Sequence, residues 1–204
     1  MKTFAFVLIF VSSIVNLSCT DELSSSSNDQ QFYPLKVGNY WKYKITSKDS
    51  SFQPGYSVKT EIVQKDSLIR NAKWYFIALD IEGIGVYGGR YYVNMNRGLC
   101  KTSGSDTSEI LYKYPCAKND LYYSSGINDT TKVIDVDVLV ISQLGSFKCI
   151  VYQKVLTPTD GATLYTNIFV SKGVGVIKEE YFVFTSSTEI KIISSWDLVD
   201  YKIN

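Results

Sequence analysis

The chain has 204 residues, of which 45% are hydrophobic and 14% aromatic, so a single domain with a packed core is expected. The 21 Lys and Arg residues nearly balance the 20 Asp and Glu residues, which gives no electrostatic reason to expect nucleic acid as a partner. The sequence contains no histidine, which excludes the usual Ser-His-Asp and Cys-His catalytic sites and all His-ligated zinc and haem sites.

Residues 1–18 are typical of a bacterial signal peptide. Lys2 supplies a positive charge, and the apolar stretch from Phe4 to Val15 is too short to span a bilayer, which needs about 20 residues. Asn16-Leu17-Ser18-Cys19 follows and resembles the bacterial lipobox. The resemblance implies that Cys19 is lipidated, with palmitate-type chains that anchor the protein in a membrane. The alternative is an ordinary signal peptide followed by an unmodified cysteine.

Residues 19–31 are predicted to form a flexible tether. The run from Ser24 to Ser27 and its polar neighbours cannot bury an apolar face. The acidic pair Asp21-Glu22, just after Cys19, resembles the surface-export signal of Bacteroidota lipoproteins. We therefore expect a lipid-anchored protein of the outer membrane, with its domain either at the cell surface or facing the periplasm.

Residues 32–204 are predicted to form one all-β domain. In the stretch Ser57–Ile62, Val58, Thr60 and Ile62 share one face, and the same two-residue period recurs from Ile190 to Leu198. Turn-forming pairs separate the apolar runs, among them Arg70-Asn71, Glu82-Gly83, Leu144-Gly145 and Lys172-Gly173. The spacing favours a single antiparallel sheet curled into a half-barrel or barrel, with little helix.

The segment Gly83–Gly88 matches the G-x-G-x-x-G pattern of dinucleotide-binding loops. That mechanism needs a helix to begin at the glycines, so that its amide groups meet a pyrophosphate. The following residues, Arg90 to Val93, are instead typical of a strand. The segment is therefore interpreted as a glycine-rich hairpin, and no cofactor is expected.

Three cysteines follow the tether, and none forms a C-x-x-C pair, so no metal site is predicted from them. Cys100 and Cys116 are the nearest pair in sequence, and export makes a disulfide between them feasible, contributing about 3 kcal/mol. Cys149 lies in an apolar run and is expected to be a buried thiol.

Glu179 and Glu180 form an acidic pair in the body of the chain. Adjacent residues of a strand point to opposite faces, so the two carboxylates cannot by themselves flank one glycosidic bond. We interpret both as solvated residues of a hairpin.

Three segments together resemble Bacteroidota outer-membrane lipoproteins of unknown function. They are Phe32–Tyr43, with the pattern PL-x-VGN-x-W-x-Y, then Leu144–Cys149, and then Phe169–Lys178, with the pattern GVG-aliphatic-aliphatic-K. The resemblance implies a relative of the LolA/LolB-type half-barrel, in which an antiparallel sheet curls around an apolar cavity. It carries over no catalytic residues.

The leading hypothesis is a non-catalytic binding or scaffold module, attached to the membrane by lipid, that holds a hydrophobic small molecule or contacts an envelope protein. The alternative is a structural or adhesive surface protein that binds other proteins or glycans without a small-molecule pocket. The sequence contains no catalytic motif, so we expect no enzymatic activity. The ligand-binding residues stay unknown at this stage.

Overall fold

The computed structural model describes residues 31–49, 56–102, 108–125, 129–156, 163–184 and 189–204. These residues form an antiparallel twelve-stranded sheet that is nearly closed into a barrel, and no helix occurs among them. The predicted all-β class and curled antiparallel sheet are therefore confirmed. The predicted signal peptide lies outside the described residues, as does nearly all of the predicted tether.

The chain order of the strands is almost the spatial order. The strands are β1 (Tyr40–Ser47), β2 (Val58–Ile69), β3 (Ala72–Ile81), β4 (Gly85–Met95), β5 (Gly98–Thr102), β6 (Glu109–Lys113), β7 (Leu121–Ser125), β8 (Asp129–Ser142), β9 (Gly145–Leu156), β10 (Leu164–Ser171), β11 (Gly175–Phe184) and β12 (Ile190–Lys202). Two six-stranded meanders, β1–β6 and β7–β12, join where β1 pairs with β12. The sheet order therefore begins at β6 and ends at β7.

Tyrosine side chains connect β6 to β7, which have no backbone ladder between them in the described sheet. The Tyr122 hydroxyl donates a hydrogen bond to the Leu111 carbonyl oxygen at 3.0 Å and accepts one from the Lys113 amide at 3.3 Å. The Tyr152 hydroxyl, from β9, donates to the Lys113 carbonyl oxygen at 2.7 Å. We call this junction the seam.

The segment Phe32–Leu35 lies inside one end of the barrel, and we call it the floor. The Tyr33 amide donates to Asn94 Oδ1 at 3.1 Å, and Asn94 Nδ2 donates to the Tyr33 carbonyl oxygen at 2.7 Å. Phe32 stacks on Tyr114 with ring centroids 4.6 Å apart. Because all four floor residues are buried, this end of the barrel is filled by side chains.

Two of the three motifs that carried the family resemblance, Phe32–Tyr43 and Phe169–Lys178, meet at the floor. Trp41, fully buried on β1, donates from Nε1 to the Val174 carbonyl oxygen at 2.6 Å, and its ring lies 5.1 Å from the Tyr33 ring. A Cβ on Gly175 would come within 2.9 Å of Trp41 Nε1, so glycine is required there for the strand to approach the indole. The contacts between these two segments are thus explained by packing, as the two-residue spacing of Trp41 and Tyr43 predicts.

The glycine-rich segment that follows β3 is a hairpin, as predicted. Gly83 and Gly85 have φ values of 82° and 86°, which the tight turn requires and glycine adopts without strain. Arg90 and Val93 lie within β4, so no helix begins at these glycines.

Candidate functional site

The barrel interior above the floor is hollow. An inner hollow of about 240 Å³ lies against Tyr33, and an outer hollow of about 370 Å³ continues towards the β3–β4 hairpin. Glu61, Ile77 and Tyr92 belong to the walls of both, so the two hollows are adjacent, and we refer to them together as the cavity.

The walls of the cavity combine aromatic, aliphatic and charged side chains. The inner hollow is lined by Tyr33, Glu61, Ile77, Tyr92, Leu99, Leu111, Tyr112, Lys154, Thr166, Ile168, Val176, Glu179 and Tyr181. The outer hollow is lined by Lys59, Glu61, Ile77, Leu79, Tyr87, Gly88, Gly89, Arg90, Tyr92 and Trp196. This lining differs from the apolar cavity that the sequence predicted, because five ionisable Lys, Arg and Glu side chains reach it.

The register of β1 and β2 turns charged residues inward. Trp41 is paired with Glu61 and Tyr43 with Lys59, and side chains directly opposite each other in an antiparallel ladder lie on one face. Since Trp41 and Tyr43 are buried in the interior, Glu61 and Lys59 must face it too. This outcome contradicts the simple expectation that Val58 and Ile62 of the same strand form the inward face.

Lys59 is held by a carboxylate and two aromatic rings. Its Nζ lies 3.1 Å from Glu61 Oε1, 3.8 Å from the centre of the Trp196 ring and 4.9 Å from that of Tyr43. Burial lowers the pKa of Lys59, but the negative charges of Glu61 and Glu179 outweigh it, so the pKa is raised overall. The amine therefore carries its positive charge at neutral pH.

Glu179 faces the cavity, whereas its neighbour Glu180 does not contribute to the lining. The Tyr181 hydroxyl donates to Glu179 Oε2 at 2.9 Å, and burial, followed by the charge of Glu179, raises the pKa of Tyr181. Glu180 Oε1 instead forms an ion pair with Lys178 Nζ at 2.6 Å. The prediction that the two carboxylates point to opposite faces is confirmed, but Glu179 is an interior residue rather than a solvated one.

The interior tyrosines are neutral hydroxyl groups. Burial is the main cause that raises the pKa values of Tyr33, Tyr43 and Tyr112 well above their ordinary range, and the nearby carboxylates Glu61 and Glu179 add to it. Each of these hydroxyls therefore keeps its proton at neutral pH and can donate a hydrogen bond.

One row of polar residues crosses β9 to β12. Lys154 is paired with Thr166, Thr166 with Tyr181, and Tyr181 with Ser194. Thr166 is 4% exposed and lines the inner hollow, yet its hydroxyl has no hydrogen-bond partner among the residues that the structure describes. A buried hydroxyl without a partner is unfavourable by about 1–3 kcal/mol, so Thr166 is a candidate ligand contact.

Comparison with known proteins identifies a shared fold. No protein-family model and no curated protein matches the chain. A protein of Bacteroides fragilis NCTC 9343, described as exported and as having a YmcC-like fold, matches with a TM-score of 0.57 and 12% identity, over 85% of this chain and 99% of its own. A protein of Parabacteroides distasonis ATCC 8503, described as a lipoprotein, matches with a TM-score of 0.57 and 14% identity, over 86% of this chain and 100% of its own.

These two neighbours refine the predicted relationship. Both come from Bacteroidota, in agreement with the resemblance drawn from the three sequence motifs. The LolA/LolB-type half-barrel is not supported, because the fold named for the first neighbour is YmcC-like and the sheet of this chain is nearly closed. At these identities the likeness shows the fold alone.

The predicted modification sites have different outcomes. Cys19 lies outside the described residues. The possible Cys100–Cys116 disulfide is not formed in the structure, in which Cys100, Cys116 and Cys149 are free thiols. Cys100 packs with Ala72, Trp74 and Val93, whereas Cys116 Sγ contacts the Tyr152 hydroxyl at 3.8 Å, so the two thiols belong to separate clusters. Cys149 is buried, as predicted.

Two further properties of the described residues bear on function. These residues include no helix that is long and apolar enough to cross a membrane. Within the described ranges, no three Cys, Asp or Glu side chains are grouped so that they could hold a metal ion.

The residues that form the cavity were missed by the sequence analysis. Lys59 and Glu61 lie in a strand whose apolar residues suggested the opposite inward face. Glu179 and Thr166 follow no motif, and only the pairing of β9 to β12 brings them together. The one available signal was the presence of charged residues at alternate positions of otherwise β-type segments, opposite Trp41 and Tyr43.

Proposed function

We propose that this chain is an exported, lipid-anchored protein of the bacterial cell envelope that holds a small polar molecule in the cavity without catalysing a reaction. The observation that carries the binding function is Thr166, a buried hydroxyl with no described partner, in the wall of a cavity that also contains Glu61 and Glu179. Pockets that combine aliphatic and aromatic walls with a few convergent polar groups are the usual form of a small-molecule site.

The envelope location is supported by the sequence before the barrel. The signal-like residues 1–18 and Cys19 favour export and lipidation, and the two structural neighbours are described as an exported protein and a lipoprotein. We extend the proposal to the outer membrane on the basis of the acidic residues that follow Cys19.

Binding without catalysis is favoured by the partners of the two carboxylates. Glu61 is in an ion pair with Lys59, and Glu179 accepts a hydrogen bond from Tyr181. Each carboxylate is therefore engaged by a partner within the protein rather than left open towards a substrate as a general acid or base would be. A polar ligand is preferred to the predicted hydrophobic one, because an acyl chain would lie against charged side chains and would leave the Thr166 hydroxyl without a partner.

Native mass spectrometry of the full chain, purified from its own membranes, tests the binding function. We expect a retained small molecule on the unaltered protein, and its loss in Glu179→Ala. Glu180→Ala is the matched control, since Glu180 is the adjacent carboxylate and lies outside the cavity, and it should retain the molecule. Equal retention in both variants would contradict a site in the cavity, and an empty protein would favour the structural or adhesive alternative.

The anchor is tested separately by labelling cells with radioactive palmitate. The unaltered chain should take up the label and sediment with membranes, whereas Cys19→Ser should do neither. Cys100→Ser removes a buried thiol of the barrel and should keep the label. Label that persists in Cys19→Ser would contradict lipidation at this residue.

A further inference from the structure

We infer that the molecule bound in the cavity is a neutral polyhydroxy compound of monosaccharide size, an inference that rests on the proposed binding function. The chemistry of the lining carries it: charged donors and acceptors that offset one another, a hydroxyl in need of a partner, and aromatic walls between them.

The charges around the cavity are of both signs and largely offset one another, with three positive side chains against two negative ones. Lys59 pairs with Glu61 at 3.1 Å and lies in the field of Glu179, while Lys154 and Arg90 supply positive charge elsewhere on the walls. A ligand that carries a full charge would meet a like charge as well as an opposite one, and its desolvation would be poorly compensated. A neutral ligand avoids both the like-charge repulsion and the cost of removing a full charge from water.

The same walls offer both donors and acceptors at close quarters. Lysine and arginine only donate hydrogen bonds, ionised glutamates only accept them, and the tyrosine and threonine hydroxyls do both. A ligand hydroxyl also does both, so a molecule with several hydroxyls can pair with all of these groups. A fatty acid could satisfy almost none of them.

Thr166 marks where such a hydroxyl would lie. Its side chain is buried in the wall of the inner hollow, and its hydroxyl is unpaired among the described residues. Ser194, in the same row, is also buried and unpaired within the described part of the chain, but it is not a wall residue of either hollow. The two residues therefore form a matched pair, of which Thr166 lines the inner hollow and Ser194 lines neither hollow.

Size and shape agree with a single sugar ring. The inner hollow of about 240 Å³ corresponds to the volume of about eight water molecules in the liquid. Tyr92, Tyr112 and Tyr181 contribute aromatic surface to its walls, against which the apolar C–H groups of a sugar ring can pack. A long chain would have to extend beyond this hollow.

Isothermal titration calorimetry of the purified full chain tests the inference. The neutral probes are D-glucose, D-galactose and N-acetyl-D-glucosamine, the charged probes are D-glucuronate and D-glucosamine, and the apolar probe is palmitate. We expect binding of at least one neutral sugar. Thr166→Val should weaken that binding about five- to tenfold by leaving a ligand hydroxyl unpaired, and Ser194→Ala should change it less than about twofold.

Each contrary outcome has a distinct meaning. Binding of glucuronate, glucosamine or palmitate without any neutral sugar would overturn the inference while leaving the proposed binding function intact. Equal weakening by Thr166→Val and Ser194→Ala would overturn it too, because Ser194 does not reach the cavity. If no probe binds, the inference fails, and the retention experiment with Glu179→Ala still decides the proposed function.

Discussion

The two halves of the barrel interior are built from the same strands but have opposite chemistry. The floor half is filled by buried aromatic residues such as Phe32 and Trp41, whereas the cavity half keeps charged side chains around an open volume. Packed aromatic residues and charged cavity residues occur within the same ladder pairs, since Trp41 lies opposite Glu61 and Tyr43 lies opposite Lys59. The pairing register of β1 and β2 therefore places both packed core residues and the charged residues of the cavity on the interior face.

Stability and binding are therefore assigned to different halves. Close-packed aromatic residues contribute most to the free energy of folding, while unpaired or compensated polar groups contribute little or oppose it. An unpartnered hydroxyl such as that of Thr166 can persist because the floor half stabilises the fold around it. Three experiments test this division, in order of expected effect.

Alkaline pH should unfold the protein through its interior tyrosines. Burial raises the pKa values of Tyr33, Tyr43 and Tyr112, so above pH about 10 the unfolded chain releases protons that the folded chain retains. The free energy of unfolding is unaffected by these groups below that pH and falls above it, by about 1.4 kcal/mol per tyrosine for each pH unit. Three tyrosines together would lower the free energy of unfolding by about 4 kcal/mol for each pH unit above about 10.

Circular dichroism and tyrosinate absorbance, followed on one sample as the pH rises, measure this effect. Loss of the sheet signal and the main rise in tyrosinate should coincide. If these buried tyrosines ionised while the sheet signal remained native, the barrel interior would be more open to water than the structure shows.

Removing an aromatic side chain should affect the two halves unequally. Trp41→Ala should lower the free energy of unfolding by about 3–5 kcal/mol, because a fully buried indole and its hydrogen bond to Val174 are lost. Trp196→Ala, in the half-buried wall of the outer hollow, should lower it by about half as much or less. Urea denaturation gives both values, and equal losses would remove the distinction between the halves.

Removing a hydroxyl at the seam should lower the stability of the protein by a smaller amount. Tyr122→Phe removes a hydroxyl that serves both Leu111 and Lys113, and should lower the free energy of unfolding by about 1–3 kcal/mol. Tyr123→Phe, the next residue on β7, is the control, because Tyr123 is 74% exposed and should change stability by less than about 0.5 kcal/mol. A null result for Tyr122→Phe would mean that the strands close without side-chain help.

Much of the fold was predictable from the sequence, because turn chemistry and two-residue periodicity are local properties. Arg70 and Asn71 adopt positive φ values between β2 and β3, as a predicted tight turn requires, and Trp41 and Tyr43 share an interior face. The nearly closed shape was not predictable to the same degree, because the contacts of Tyr122 across the seam depend on the relative position of two distant meanders.

The cavity could not be predicted, because the inward face of β2 is set by its neighbours. Val58 and Ile62 are the apolar residues of the stretch Val58–Ile62, and its periodicity points them inward, although the next residue, Val63, shares the face of Lys59 and Glu61 and is buried. They are paired instead with Lys44 and Tyr40, while the aromatic face of β1 turns Lys59 inward. A strand with charged residues on its interior face violates the pattern rule, and such violations are expected at functional sites.

The position of the floor has a consequence for how solutes arrive. The chain enters the barrel at Phe32, beside the start of β1, whereas the outer hollow reaches Tyr87 at the far tips of the strands. A tether before Gln31 would thus join the barrel at its floor end, opposite the outer hollow. A solute in water would reach the outer hollow directly. A molecule dissolved in the bilayer would first have to leave it and diffuse past the floor end of the barrel to the opposite end.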